Sequence, residues 1–287
     1  MKEIYYKVAG HVFALEAVDN ANIEFDLQQY EPFVIVPTEN VVFRLRLSTT
    51  QTDLSNFKME MVQEDEGQSI SAGHIGDHPC FQFFLHEKLM EVLVCSNDYR
   101  QGDIYAENSN LFGVNNALMV MYALATANKQ TALFHSSVVS FQDKAYMFLG
   151  KSGTGKSTHS QLWLKHIEGT ELVNDDNPVV RIVDGIARVY GSPWSGKTPC
   201  YRNVDYPIGG IVKLKQAPYN EIRRMKAVEA YVALAMSISG MRWKKPMGDG
   251  IHETENQLTA SVPVWHLSCL PDQNAAELCH STIATQD

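Results

Sequence analysis

The sequence contains no hydrophobic run near the roughly 20 residues that a membrane-spanning helix needs. Its opening stretch, MKEIYYKVAG, lacks the charged start and apolar core of a secretory signal. Five cysteines without C-x-x-C spacing argue against a disulfide framework and against a zinc knuckle. We therefore expect a cytoplasmic protein with reduced thiols and no membrane partner.

Long basic runs, internal repeats and low-complexity tracts are absent too. The formal net charge is −9, and the densest basic cluster, MRWKKP, is typical of a solvated loop. No nucleic-acid partner is expected. The chain has 287 residues with 45% hydrophobic content, which is enough for a large core in one big domain or two smaller ones.

The first part of the chain, residues 1–110, is rich in short strand patterns separated by polar or glycine-containing turns. Residues 111–287 alternate strand and helix patterns, with helices predicted over residues 113–128, 157–167, 220–238 and 274–283. We expect an α/β fold with a mixed sheet and a domain boundary near residue 110. The strand-rich first part is a candidate surface for an acceptor or a partner.

Residues 150–157, GKSGTGKS, match G-x-x-x-x-G-K-[ST], the pattern of a phosphate-binding loop. A strand pattern precedes the loop and a helix pattern follows it, which favours this interpretation over a glycine-rich turn that matches by chance. Lys156 would reach the terminal phosphates of a nucleotide, and Ser157 would bind magnesium. The candidate nucleotide-binding residues are Gly150, Ser152, Gly153, Thr154, Gly155, Lys156, Ser157 and Thr158.

A histidine precedes this loop in the stretch HSSVVSFQDKAYMFL, which predicts two strands joined by a turn around Gln142. Pairing Ser140 with Lys144 brings His135 opposite Leu149, beside the mouth of the loop. The alternative is a histidine at a strand end without a role.

Two adjacent aspartates, Asp175 and Asp176, follow a short strand at residues 171–173. Beside a phosphate loop, carboxylates at a strand end are where magnesium and a catalytic base are needed. The alternative is an aspartate pair that only shapes a turn. The candidate magnesium ligands are Ser157, Asp175 and Asp176.

A second hairpin is predicted over PVVRIVDGIARVYG, with Asp184-Gly185 as its turn. Counting outward from this turn places Asp176 opposite Pro193, so the following loop should lie beside the aspartates. Lys197 then becomes a candidate for holding a phosphate or an acidic acceptor, and Trp194 for packing on a substrate. The alternatives are an exposed loop lysine and a tryptophan at the edge of the core. Arg202 is a weaker candidate of the same kind.

Taken together, the motifs FHSSVV, GKSGTGKST and LVNDD resemble the catalytic domain of the HPr kinase/phosphorylase family, which is similar to ATP-dependent phosphoenolpyruvate carboxykinases. The resemblance covers residues 133–214 well. It implies a nucleotide-binding core of mixed sheet and flanking helices, with ATP and Mg²⁺ as cofactors and a possible homo-oligomer. His135 matches the family histidine, and Lys156 and Ser157 match the phosphate and metal positions.

In the same resemblance, Asp175 and Asp176 match the acidic pair that binds the divalent ion and supplies the base, without showing which aspartate does which. Thr158 stands where these kinases commonly have glutamate, and their glycine-rich signature loop after the aspartates is not visible. The acceptor is therefore left open.

The function predicted from these residues is a kinase that transfers a phosphoryl group from ATP to a hydroxyl of a protein serine or a small molecule. One alternative is a non-catalytic module that binds ATP as a signal for a partner docked on the first part of the chain. Another is a nucleotidase that transfers the phosphoryl group to water.

Overall fold

The structure is a computed structural model that describes residues 3–18, 27–48, 50–65, 67–105, 111–196 and 198–284. The chain divides into two compact units, Met1–Thr126 and Ala127–Asp287. Among the described helices, none has both the length and the apolar character needed to cross a membrane.

The first unit is built on a mixed sheet that has nine strands among the described residues. These strands are β1 (Glu3–Val8), β2 (His11–Ala17), β3 (Val34–Ile35), β4 (Phe43–Ser48), β5 (Phe57–Asp65), β6 (Gln68–Ile75), β7 (His78–Leu85), β8 (Lys88–Cys95) and β9 (Gln101–Tyr105). Their order in the sheet is β3-β1-β2-β4-β9-β8-β7-β6-β5. A 3-10 helix, Gln28–Phe33, and helix α1, Leu111–Thr126, complete the unit.

Helix α1 decides where the first unit ends. It packs against β4, β8 and β9, and the side chain of Tyr122 donates a hydrogen bond to the carbonyl oxygen of Val8 at 3.1 Å. The helix therefore belongs to the first unit, and the division lies after Thr126 and not near residue 110. No linker is visible in the sequence at this division, because helix α1 is itself part of the apolar core of the first unit.

The second unit is built on a mixed sheet of ten described strands. These strands are β10 (Thr131–Phe134), β11 (Ser136–Phe141), β12 (Lys144–Leu149), β13 (Glu171–Asn174), β14 (Val179–Val183), β15 (Ile186–Tyr190), β16 (Asp205–Gln216), β17 (Glu221–Arg224), β18 (Ile238–Ser239) and β19 (Val264–Cys269). The helices are α2 (Lys156–His166), α3 (Ala227–Ala235), α4 (Lys245–Ser261) and α5 (Gln273–Ile283).

The order in this second sheet is β13-β11-β12-β16-β15-β14-β10-β18, and β19 pairs with both β16 and β17. Strand β16 runs parallel to β12 and to β19, so the carboxyl ends of these three strands lie at one edge. Helices α2 and α5 pack together over the sheet, where Trp163, Phe148, Val212, Leu267 and Cys279 form part of one buried cluster. The chain thus has a mixed α/β fold with large mixed sheets.

The two predicted hairpins differ in how well their register was anticipated. The hairpin at Asp184-Gly185 is confirmed, because Val183 pairs with Ile186 and both turn residues have positive φ. In the β11–β12 hairpin, Phe141 pairs with Lys144, so the predicted register is wrong by one residue. The turn there has two central residues instead of three, and His135 lies just outside the ladder.

Candidate active site

The glycine loop, residues 150–155, connects the carboxyl end of β12 to helix α2. Gly153 and Gly155 have φ values of 74° and 103°, which side chains with a Cβ rarely adopt. Gly155 is the N-cap of α2, so the loop turns directly into the helix with its free amides at the start. Ser157 and Thr158 lie in the first turn of the helix, partly buried and exposed respectively. These glycines therefore allow the tight turns that lead from β12 into α2.

Lys156 is buried, with 8% of its surface exposed, and its ammonium group folds back over the loop. The Nζ atom lies 2.8 Å from Nε2 of His135 and donates to the carbonyl oxygen of Gly150 at 3.1 Å. An ammonium group only donates hydrogen bonds, so Nε2 of His135 is the acceptor. The imidazole proton is consequently on Nδ1.

Nδ1 of His135 lies 2.9 Å from Oδ1 of Asp176, and the imidazole donates to the carboxylate. The backbone fixes both residues, since the amide of Ser136 donates to the carbonyl oxygen of Asp176 at 2.8 Å. The amide of His135 is bound in turn by the carbonyl oxygen of Ser237 at 2.7 Å. Lys156, His135 and Asp176 thus form a continuous hydrogen-bonded line between the glycine loop and the end of β13.

Asp175 is 4% exposed and points to the other side of the strand end. Its Oδ1 accepts a hydrogen bond from the hydroxyl of Ser137 at 2.7 Å, and that hydroxyl lies 2.6 Å from Oγ of Ser160. Because the Ser137 proton goes to the carboxylate, Ser160 is the donor to Ser137. Within the described residues, Oδ2 of Asp175 is buried and has no hydrogen-bond partner.

An unpaired buried carboxylate oxygen is costly, because it has lost its hydration and gained nothing in return. A cation ligated by Oδ2 of Asp175 removes that cost, so the site fits Mg²⁺ in its donor chemistry. No group of three or more His, Cys, Asp or Glu side chains that could hold a metal occurs in the described part of the chain. Proteins commonly hold Mg²⁺ with one or two side chains plus waters and phosphate oxygens.

The strand end itself is fixed by asparagines that the sequence analysis did not select. Asn174 is fully buried and accepts from the amide of Asp176 at 2.9 Å, while its Nδ2 donates to Oγ of Ser192 at 3.1 Å. Nδ2 of Asn177 donates to Oδ2 of Asp176 at 2.7 Å. Both carboxylate oxygens of Asp176 are therefore occupied, in contrast to those of Asp175.

The loop after β15 lies beside the aspartates, as the hairpin count predicted. A Cβ placed on Gly196 would stand 3.0 Å from the carbonyl oxygen of Asp175 and 3.1 Å from Cβ of Asp176. Trp194 is only 2% exposed, so it packs in the core of the unit and offers no face to a substrate. Lys197 lies outside the described residues, and its role stays a prediction.

Arg202 is directed away from the aspartates. Its guanidinium donates to the carbonyl oxygen of Leu172 at 2.8 Å and to Oε2 of Glu171 at 2.7 Å, at the opposite end of β13. It therefore anchors the start of that strand.

Ser137 and Ser160, which orient Asp175, are not among the site residues predicted from the sequence. A signal for each exists in hindsight. Ser137 follows His135 closely, at the loop end of the predicted strand, and Ser160 stands four residues after Lys156, on the same face of α2. Their full burial is what makes them informative, and it depends on tertiary packing.

Comparison with known proteins leaves the chain without an assigned family. No family model and no curated protein matches it. Among solved structures, that of the HPr(Ser) kinase/phosphatase from Coxiella burnetii aligns with 53% of this chain and 93% of its own chain, at a TM-score of 0.32 and 11% sequence identity. A likeness of this degree assigns neither fold nor activity, and the resemblance of the motifs to that family stays a prediction.

Proposed function

We propose that the chain is an ATP- and Mg²⁺-dependent kinase that transfers a phosphoryl group to a hydroxyl of a protein serine or a small molecule. The proposal is carried by the hydrogen-bonded line from Lys156 through His135 to Asp176, which starts at a glycine loop and ends beside a second carboxylate. A glycine-rich turn that matched the motif by chance would not be expected to have its lysine hydrogen-bonded to a histidine that in turn donates to an aspartate.

The phosphate chain would bind in the glycine loop. Amides at the start of α2 and the helix dipole favour negative charge there, and the ammonium group of Lys156 adds a charge-assisted donor. Lys156 now donates to an imidazole and to carbonyl oxygens, so a phosphate oxygen would replace neutral acceptors with a charged one. Because a charged acceptor binds an ammonium group more strongly than a neutral one, this exchange favours binding of the phosphate.

Ser157 and Asp175 would hold Mg²⁺, with Oδ2 of Asp175 as the carboxylate ligand. When bound, the ion supplies charge neutralisation for the phosphate oxygens. Ser137 and Ser160 hold the carboxylate in one orientation, which leaves Oδ2 free to bind a cation.

His135, held in place by Asp176, would accept the proton that the acceptor hydroxyl loses. Once a phosphate draws Lys156 away, Nε2 of His135 can accept the hydroxyl proton, while Asp176 keeps the proton of Nδ1 in place. The acceptor oxygen forms a bond to the γ-phosphorus, and the bond from that phosphorus to the leaving ADP oxygen breaks. Asp176 therefore acts through His135, and Asp175 acts through the ion.

Calorimetry with ATP, in the presence and absence of Mg²⁺, tests the nucleotide site. We expect binding that depends on Mg²⁺ and that Lys156→Ala removes. Lys165→Ala is the matched control, because it deletes the same charge from the exposed end of the same helix. Equal binding by both variants, or no binding by the native chain, contradicts the proposal.

Transfer from γ-³²P-labelled ATP to cell extract tests the kinase reaction and separates the alternatives. We expect label in an acceptor, and His135→Gln and Asp176→Asn should abolish it without abolishing ATP binding. Binding without transfer or hydrolysis would favour a non-catalytic ATP-binding module. Phosphate release without any acceptor would favour a nucleotidase. Lys197→Ala should lower the rate of label transfer if Lys197 holds a phosphate or an acidic acceptor, as the sequence predicts.

A further inference from the structure

A cavity of about 340 Å³ adjoins the glycine loop, and neither His135 nor the two aspartates are among its lining residues. Its walls come from residues 153–155 of the loop, the first two turns of α2, and the ends of β16 and β19 with the segments that follow them. Its volume lies in the range of small-molecule sites, which is about 300–1,000 Å³. The proposed kinase chemistry uses the loop residues of this lining and gives no role to the rest of the cavity.

The topology explains why a cavity forms there. Strands β12, β16 and β19 are parallel neighbours, and Gln216 at the end of β16 pairs with Cys269 at the end of β19. The segments that leave these three strands therefore stand side by side at one edge of the sheet. In open α/β sheets, ligands bind in the crevice outside the carboxyl ends of the strands. A ligand whose phosphates occupy the loop after β12 would extend toward the loops after the other two.

The cavity and the glycine loop form one structural unit. Nε2 of Gln216 donates to the carbonyl oxygens of Gly153 at 3.1 Å and of Thr154 at 3.4 Å. These bonds attach the end of β16 to the backbone of the loop. A single molecule can therefore touch the loop amides and the cavity walls together.

Apolar side chains line most of the cavity. Leu162 comes from α2, Leu214 from β16 and Ala217 from the position directly after it, and Leu270 and Pro271 from the segment after β19. Such a surface suits the flat, weakly hydrated face of a heterocyclic base better than it suits the hydroxyl groups of a sugar or a charged group.

One buried polar group also lines the cavity. His159 is 2% exposed, and its Nε2 accepts a hydrogen bond from Nε1 of Trp163 at 3.2 Å. Burial lowers the pKa of His159 to about 4, so the ring is neutral at pH 7 and carries its proton on Nδ1. None of the described residues accepts a hydrogen bond from Nδ1. A ring nitrogen or carbonyl oxygen of a base is an acceptor of the required kind.

We propose that this cavity is the subsite for the purine base of the nucleotide, with the apolar walls packing on the base and His159 donating from Nδ1 to its edge. This inference rests on the proposed function, because it takes the glycine loop as the phosphate site. It adds the part of the ligand that the loop motif does not specify, and it predicts a preference for purine over pyrimidine nucleotides.

The test separates the base from the phosphates by comparing ATP, CTP and inorganic tripolyphosphate, each with Mg²⁺, by calorimetry. In the native chain we expect tripolyphosphate and CTP to bind at least about tenfold more weakly than ATP, which corresponds to about 1.4 kcal/mol. Ala217→Phe, which fills the cavity from a partly exposed position, should reduce ATP affinity to that of tripolyphosphate and leave tripolyphosphate binding unchanged.

Val228→Phe is the matched control, since it adds a phenyl group at a position of α3 that is 77% exposed. His159→Phe keeps an aromatic ring but removes the donor, and it should weaken ATP binding with no effect on tripolyphosphate. Native-like ATP binding by Ala217→Phe overturns the subsite while leaving the kinase proposal intact, and equal binding of ATP and CTP by the native chain overturns the purine preference. If the native chain binds neither ATP nor tripolyphosphate, the proposed function fails and the subsite with it.

Discussion

The buried hydroxyl of Ser137 gives the sharpest test of how Asp175 is held. It donates to Oδ1 of Asp175 at 2.7 Å and accepts from Oγ of Ser160 at 2.6 Å. Ser137→Ala removes a hydrogen bond to a charged group, worth about 1.5–3 kcal/mol, and leaves the Ser160 hydroxyl without its acceptor. We expect a loss of about 3 kcal/mol in the free energy of unfolding of the second unit. For a unit of this size, that lowers the melting midpoint by about 6–12 °C.

The neighbouring residue supplies the matched control. Ser136 and Ser137 are both fully buried on β11, but Oγ of Ser136 has no hydrogen-bond partner among the described residues. Ser136→Ala removes an unsatisfied hydroxyl and should leave the stability unchanged or raise it slightly.

Urea unfolding followed by tryptophan fluorescence is the assay. All four tryptophans lie in Ala127–Asp287, so the signal reports on the second unit alone. Equal losses in Ser136→Ala and Ser137→Ala would refute the reasoning, because the two substitutions differ mainly in the hydrogen bonds that they remove. A loss confined to Ser137→Ala, together with weaker Mg²⁺-dependent ATP binding, supports the assignment of Ser137 as a positioning residue.

Gly155→Ala places a Cβ on a residue with φ of 103°, which strains the backbone by about 1–3 kcal/mol and shifts the loop away from its native conformation. We expect calorimetry to show that ATP binds at least about tenfold more weakly. Burial lowers the pKa of His159 from 6.5 to about 4, so its neutral form contributes stability that is complete above about pH 6.5 and is lost as the pH falls toward 4. Urea unfolding at pH 7 and pH 4.5 should therefore show a smaller difference in stability for His159→Phe than for the native chain, and an equal difference would contradict this reasoning. Gln216→Ala removes the hydrogen bonds to the loop carbonyl oxygens of Gly153 and Thr154. The loss of one or two hydrogen bonds should weaken the binding of tripolyphosphate and of ATP alike, by about threefold to tenfold. Weaker binding of ATP alone would contradict the link between Gln216 and the loop.

Local sequence signals were sufficient wherever structure depends on a few adjacent residues. The Asp184-Gly185 turn was identified because two positive φ values at a two-residue turn demand such residues. The glycine loop was identified by the same logic, together with the strand before it and the helix after it. The strand-rich character of the first part followed from alternation, as in β4, where Phe43, Leu45 and Leu47 are buried and the residues between them are not.

Elements that depend on distant partners were predicted less well. Residues 220–238 were predicted as one helix, but Glu221–Arg224 is strand β17, because its backbone pairs with β19 at a separation that no local pattern reveals. Helix α4 was not predicted, since Gly248 and Gly250 lower its intrinsic helix propensity. Both glycines are close to other backbone, and a Cβ on Gly250 would stand 2.4 Å from the carbonyl oxygen of Ala127. Close packing of the helix therefore overrides its propensity.

The connection between Lys156 and Asp176 could not be predicted from the sequence, because it depends on a side chain that lies between two strands. His135 joins β10 to β11, and its ring bridges the loop lysine and the carboxylate. The bridge has a consequence for the order of events in the proposed reaction. A phosphate that takes up the ammonium group of Lys156 also releases Nε2 of His135, so the base gains its capacity to accept a proton only when the phosphate is in place. This coupling would limit proton transfer, and with it wasteful reaction with water, to the nucleotide-bound state.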